Sequence, residues 1–294
     1  MKSYNNFNKI ASDLHKFFES IFSFKYHHLD YLVFTVISFI NSGSVVASKI
    51  SNTFNMFLPY FIQPDSTERK IRRFFSSFSS IAYDFYSVLI SYVIKFYKVK
   101  HHYNIVHISL DHMYVKERFT ILLFSLRIGK QGIPLWFRCF KGHQPSKAMS
   151  LSLVNEGISF CSSLFDVDNV KVIFLADRWF SFISILKHIE SLHCFYVFRV
   201  KSHFICSYTN SSGSTTLCHI SDIKPRKHSS KYISILFTAF EFPTNLVVVR
   251  SCNTDDTWYL LTNDSPNRAA HNYSKRFGSI ECIFKHQKTN RFLS

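Results

Sequence analysis

Two acids stand out by position. Val106, Ile108 and Leu110 alternate with His107, Ser109 and Asp111, the period-two pattern of a strand, here ending in an acid. Val170 to Ala176 reads as an apolar strand buried on both faces, and it ends in Asp177. In open α/β sheets ligands bind beyond the carboxyl ends of strands. A carboxylate there costs desolvation energy unless it is paired or holds a cation. Brought together with a third acid from a helix, the two form a hard-oxygen site suited to Mg²⁺ or Mn²⁺. Two such ions would clamp the attacking and leaving oxygens of an in-line phosphoryl displacement. Kept apart, the same residues are ordinary exposed strand-end acids.

The elements that must position them follow from patterning. Residues 1–100 read as a helical N-terminal region. Within it Ser66 or Thr67 suits a helix N-cap, and Arg69, Arg72 and Arg73 share one helical face. That face is either solvated charge or a phosphate-contacting surface. Residues 101–202 read as an α/β core. Strands are expected up to Asp111, over Phe119–Ile128 and over Ile133–Phe140, then a helix over Ser146–Leu164. A strand to Ala176, a helix over Phe180–Leu192 and a strand over Cys194–Val200 follow. Residues 203–265 read as a β-rich insertion, with strands at Tyr232–Thr238, Leu246–Arg250 and Trp258–Thr262 and a basic loop at Lys224 to His228. Residues 266–294 return to a basic amphipathic helix.

The net charge of +16 argues for a polyanionic partner, nucleic acid first and an anionic membrane surface second. The 33 Phe raise the question of a membrane protein, but the best apolar run, Tyr31–Ile40, is broken by Thr35 and Ser38 and is too short to span. The expected protein is therefore cytoplasmic, with no membrane partner. Seven cysteines without a C-x-x-C pair read as reduced thiols. The spacings of His193, Cys194, His203, Cys206, Cys218 and His219 match no compact zinc module.

Four segments in order resemble DDE transposases of the insertion-sequence-four type. Ile108–Phe140 (ISLDHMYVKERFTILLFSLRIGKQGIPLWFRCF) resembles their first catalytic block. Val172–Lys201 resembles the second, an apolar strand ending in Ala-Asp-Arg followed by a helix and a Phe-Arg-x-Lys strand. Trp258–Asn263 (WYLLTN) resembles the strand that closes the insertion. Tyr273–Lys288 (YSKRFGSIECIFKHQK) resembles the signature Y-x2-R-x3-E-x6-K. The resemblance implies a ribonuclease-H-like core and a catalytic, metal-holding triad of Asp111, Asp177 and Glu281 with two Mg²⁺ or Mn²⁺ ions. It implies DNA contacts by Tyr273, Arg276 and Lys288. Arg178, beside Asp177, either positions a phosphate or makes an ordinary salt bridge. The implied partners are double-stranded DNA at the transposon's terminal inverted repeats, target DNA, and a second subunit in a homodimeric synaptic complex.

Two features depart from the pattern. Four residues separate Arg276 from Glu281 where the signature has three, which on a continuous helix rotates Arg276 by about 100°. Gly278 offers a late helix start that absorbs the change. Trp179 stands where a small residue is expected. The sequence ends at Ser294, soon after Glu281, and so reads as a C-terminally truncated copy with weakened transposition. A non-catalytic DNA-binding remnant is the alternative.

Overall fold

The structure is a computed structural model. It describes residues 2–22, 26–43, 47–56, 62–78, 82–101, 104–115, 118–142, 147–167, 169–210, 212–225, 230–238, 241–250, 256–278, 280–281 and 283. The chain divides into two compact units, one over residues 1–101 and the other over 102–285.

The first unit is helical: α1 (Lys2–Ile21), α2 (Tyr26–Ser42), α3 (Ala47–Asn55), α4 (Pro64–Phe78) and α5 (Ala82–His101). Aliphatic and aromatic residues share its core. Phe18, Leu29, Leu32, Val33, Ile37 and Phe74 form one cluster, and Ile50, Phe54 and Ile71 a second. The start of α4 differs from the capping expectation. The helix begins at Pro64, whose fixed φ suits the first turn. The Gln63 carbonyl accepts from the Ser66 and Thr67 amides. Thr67 is buried inside the helix, and its hydroxyl donates to Asn55 Oδ1 at 2.6 Å. Among the described residues no single helix is long and apolar enough to cross a membrane; the pair Leu29–Ser42 and Ala47–Asn55 passes by length and composition only when joined across a 106° bend.

The second unit is mixed α/β. In chain order it contains β1 (Ile105–Val115), β2 (Phe119–Ile128), β3 (Gln131–Lys141), α6 (Lys147–Ser163), β4 (Lys171–Ala176), α7 (Ile183–Ser191) and β5 (Phe195–Arg199). Then come β6 (Ile205–Thr209), β7 (Thr215–His219), β8 (Lys231–Phe237), β9 (Phe242–Arg250), β10 (Thr257–Thr262) and α8 (Pro266–Ser274). The ten strands form one sheet in the order β3-β2-β1-β4-β5-β10-β9-β8-β6-β7. Only β1–β4 and β4–β5 pair in parallel; the other neighbours are antiparallel.

The β-rich stretch expected as an insertion is continuous with that sheet. Its strand β10 pairs with β5, so hydrogen bonding runs unbroken from the core into β9, β8, β6 and β7. Strands β6 and β7 were not anticipated, because their short runs of Thr, Ser and Cys carry little apolar signal.

Helices lie on both faces. Ile173 and Leu175 of β4 pack with Ala269 and Tyr273 of α8. By strand alternation Val172, Phe174 and Ala176 face the other way. On that opposite face Phe124 lies in register with Leu110, which lies in register with Ala176. Gly157 of α6 meets the Phe124 ring there so closely that a Cβ would stand 2.4 Å from it. Glycine at this position is what lets the helix approach the sheet.

Candidate functional site

The parallel register of β1 on β4 ends at Leu110 opposite Ala176. The next residues on the two strands are Asp111 and Asp177. Neighbouring strands lie about 4.8 Å apart, so the two acids are side by side. Strand β1 itself does not end at Asp111. It runs on to Val115 as the antiparallel partner of β2, so the acid marks the end of the parallel ladder rather than of the strand. Alternation puts Asp111 on the face of Ser109, and Ser109 is in register with Leu175. Both acids therefore belong to the face that α8 covers.

Each carboxylate also accepts from the amide that follows it: Asp111 Oδ1 from His112 N at 2.8 Å, and Asp177 Oδ1 from Arg178 N at 2.7 Å. These local bonds fix one oxygen of each acid.

Arg276 supplies the counter-charge. Its Nη2 donates to Asp111 Oδ2 at 2.5 Å, and its Nη1 lies 3.6 Å from Glu281 Oε1. The arginine side chain is only 6% exposed and Asp111 24%, against 49% for Glu281. Burial raises the Asp111 pKa; Arg276 and the His112 amide oppose this, and the nearby charges of Asp177 and Glu281 add to it. Asp111 thus senses both other acids of the expected triad.

The extra residue between Arg276 and Glu281 is absorbed by a break. Helix α8 stops at Ser274, residues 275–278 turn, and Ile280 and Glu281 are helical again. Arg276 therefore lies within the turn and Glu281 beyond it, and the two side chains meet. Arg127 of β2 secures the turn, donating through Nη1 to the Lys275 carbonyl at 2.6 Å and through Nε to the Gly129 carbonyl at 2.8 Å. A Cβ on Gly278 would stand 3.0 Å from Arg127 Nη1.

The other expected site residues are placed differently. Tyr273 is 1% exposed and packs edge-on to Trp258 and Phe277. Burial pushes its hydroxyl up to about 12. Tyr273 and Arg276 are thus interior here, one a core ring and the other an internal counter-ion. Trp258 is a core aromatic, half-buried against the same cluster. Arg178 is exposed, with Nε 3.8 Å from Asp177 Oδ1. Arg69, Arg72 and Arg73 are exposed on α4, in the first unit, and Arg72 is engaged by Glu68 at 2.6 Å. Lys288 lies outside the described residues, as do residues 226–229 of the basic loop.

Other residues carry the site without having been anticipated. His112 points away from Asp111, stacks on Phe180 at 5.0 Å and meets the Trp179 edge at 4.6 Å. Burial lowers its pKa to about 4, so the imidazole is neutral at pH 7. Trp179, the unexpected large residue, is one wall of this aromatic nest. Lys171 pairs with Asp264, Asn272 donates to Asp264 Oδ2 at 3.4 Å, and His107 Nε2 lies 3.2 Å from Asn272 Oδ1. This network ties α8 to β1 and β4. Nothing local in the sequence marks it, since its members are far apart in the chain.

The donor set is right in kind for a hard divalent cation, because all three candidates are carboxylates. Among the described residues, however, no three His, Cys, Asp or Glu side chains are grouped closely enough to hold a metal. A guanidinium stands between two of the acids instead.

No family model matches this chain, and no curated protein is similar to it. Among solved structures, the Argonaute of Marinitoga piezophila in complex with a 5′-OH guide RNA is similar at 12% identity and a TM-score of 0.26, covering 62% of this chain. This chain spans 25% of that protein. At that TM-score the likeness carries no argument.

Proposed function

We propose that the chain is a metal-dependent DNA transposase of the insertion-sequence-four type, with a ribonuclease-H-like core, acting as a homodimer on transposon ends in the cytoplasm. The observation that carries this reading is the β1–β4 register, which sets Asp111 beside Asp177 on the face where Glu281 arrives through Arg276. Asp111, Asp177 and Glu281 would hold Mg²⁺ or Mn²⁺, two ions per site. Bound there, the metal supplies Lewis acidity to a phosphodiester and lowers the pKa of a nucleophilic water or 3′-hydroxyl. The bond each Asp accepts from the following amide pre-orients its carboxylate. Arg276 balances the charge of Asp111 and Glu281. The net charge of +16, Arg178, and the Arg69, Arg72 and Arg73 face favour a double-stranded DNA partner.

The test is Mg²⁺-dependent nicking of a duplex carrying the inverted repeats that flank the gene. Asp111→Asn, Asp177→Asn and Glu281→Gln should each reduce nicking by roughly 10²–10³-fold. Undiminished nicking in all three rejects the site. A second reading, a non-catalytic DNA-binding remnant, is favoured by the guanidinium between Asp111 and Glu281. It expects salt-sensitive DNA binding and no metal-dependent cleavage in the wild type.

A further inference from the structure

Cys206 of β6 and Cys218 of β7 are direct partners across an antiparallel ladder, and both are free thiols. The ladder's phase fixes their separation. Asn210 N donates to Ser214 O at one end of the hairpin and Ile220 N to Phe204 O at the other. Counting along in twos makes Cys206–Cys218 a hydrogen-bonded pair, with Cα atoms about 5.5 Å apart. A disulfide spans Cα atoms roughly 4.4–6.8 Å apart, so the Cα separation is within its reach. The pair is also accessible from one side. β7 is the last strand of the sheet and Cys218 is half-buried, whereas Cys206 is 1% exposed between β7 and β8. The thiols are near enough to interact: burial, then Cys218, pushes the Cys206 thiol up to about 12. Of the other described cysteines, Cys161 and Cys194 are buried and Cys139 lies on β3 at the far end of the sheet.

We propose that Cys206 and Cys218 are a redox-sensitive pair, which a disulfide oxidant of the glutathione class closes into a cross-strand disulfide stapling the β6–β7 hairpin. The half-exposed Cys218 thiolate attacks oxidised glutathione, forming a mixed disulfide and releasing one glutathione thiolate. Cys206 then gives up its proton and attacks Cys218 Sγ, expelling the second glutathione. Two S–H bonds become one S–S bond, and two electrons and two protons end on two glutathione thiols. In a hydrogen-bonded pair the Cβ atoms stand near the wide end of the roughly 4.5–5.5 Å cross-strand range, beyond the roughly 3.5–4.5 Å of a disulfide, so closing the bond strains the hairpin and the bond is readily reduced again. The inference is independent of the proposed activity.

The experiment incubates the full chain with oxidised glutathione, quenches with acid, alkylates free thiols and maps peptides by mass spectrometry. The expected product is a linked peptide pair joining Cys206 to Cys218, two hydrogens lighter than the reduced peptides and restored by dithiothreitol. The disulfide fraction at Cys206 should be at least roughly tenfold higher in the wild type than in Cys218→Ser. Thermal melting confirms that Cys218→Ser is folded. Alkylation of both thiols in the wild type, a persistent glutathione adduct on Cys218, or a link from either residue to a different cysteine would overturn the proposal.

Discussion

The two halves of the sheet are built on different rules. Strands β1, β4 and β5 are covered by helices and pair in parallel, and five of the six residues of β4 are buried. At the other end β7 alternates between exposed and half-buried positions, with Leu217 72% exposed. The chemistry follows the burial. In the covered half, charge is expensive, so each buried ion has a partner: Arg276 with Asp111, and Lys171 with Asp264. Strands β6 and β7 at the open end carry mainly hydroxyls and thiols. Among the described residues, the carboxylates whose pKa is raised, Asp111 and Glu190, both belong to the half of the sheet that helices cover.

Three substitutions test that contrast. The largest effect is expected for Arg276→Met, which leaves the partly buried Asp111 and its neighbours without their cation. Urea denaturation should show a loss of about 3 kcal/mol. A loss under about 0.5 kcal/mol would mean that the covered half does not need its counter-ion.

The second uses pH. Folding lowers the His112 pKa from 6.5 to about 4, so the unfolded chain binds its proton first as acid is added. The stability this group contributes is full above pH 6.5 and is lost as pH falls towards 4, by about 2–3 kcal/mol. Asp111, whose pKa is raised, acts with the opposite sign: its contribution is full at acid pH and lost as pH rises through the carboxyl range. The difference between wild type and His112→Gln isolates the imidazole. Melting curves from pH 7 to 4 should show the wild type losing ground relative to the variant. Parallel curves would remove His112 from the buried groups.

The smallest effect is expected at the open edge. Leu217→Ser should change stability by less than about 0.5 kcal/mol, because its side chain already faces water. A larger loss would show that β7 is covered in solution.

Much of the fold was legible because it depends on local periodicity. The expected strand Phe119–Ile128 has the bounds of β2, and β4 and α6 lie within a residue of their expected ends. The short β6 and β7 escaped, since five-residue polar strands leave no period to read. The expected helix at Phe180 begins instead with a 3-10 turn over Arg178–Phe180, capped by Asp177, and α7 starts at Ile183. The aromatic crowd of Trp179, Phe180 and Phe182 marked helix in the pattern, but the Asp177 side chain competes for the backbone there.

The sequence by itself determined the alternation that ends at Asp111, the apolar strand that ends at Asp177, the excess of cations and the basic face of α4, because each is a matter of neighbours in the chain. Only the tertiary structure decided that the β1–β4 ladder ends one residue before each acid, that the β-rich stretch extends the sheet, and that Arg276 reaches back 165 positions to Asp111. Strand pairing and ion pairing over that distance are chosen by the energy of the whole packed unit. A buried carboxylate takes whichever cation the fold brings to it, and no local spacing announces which one that is.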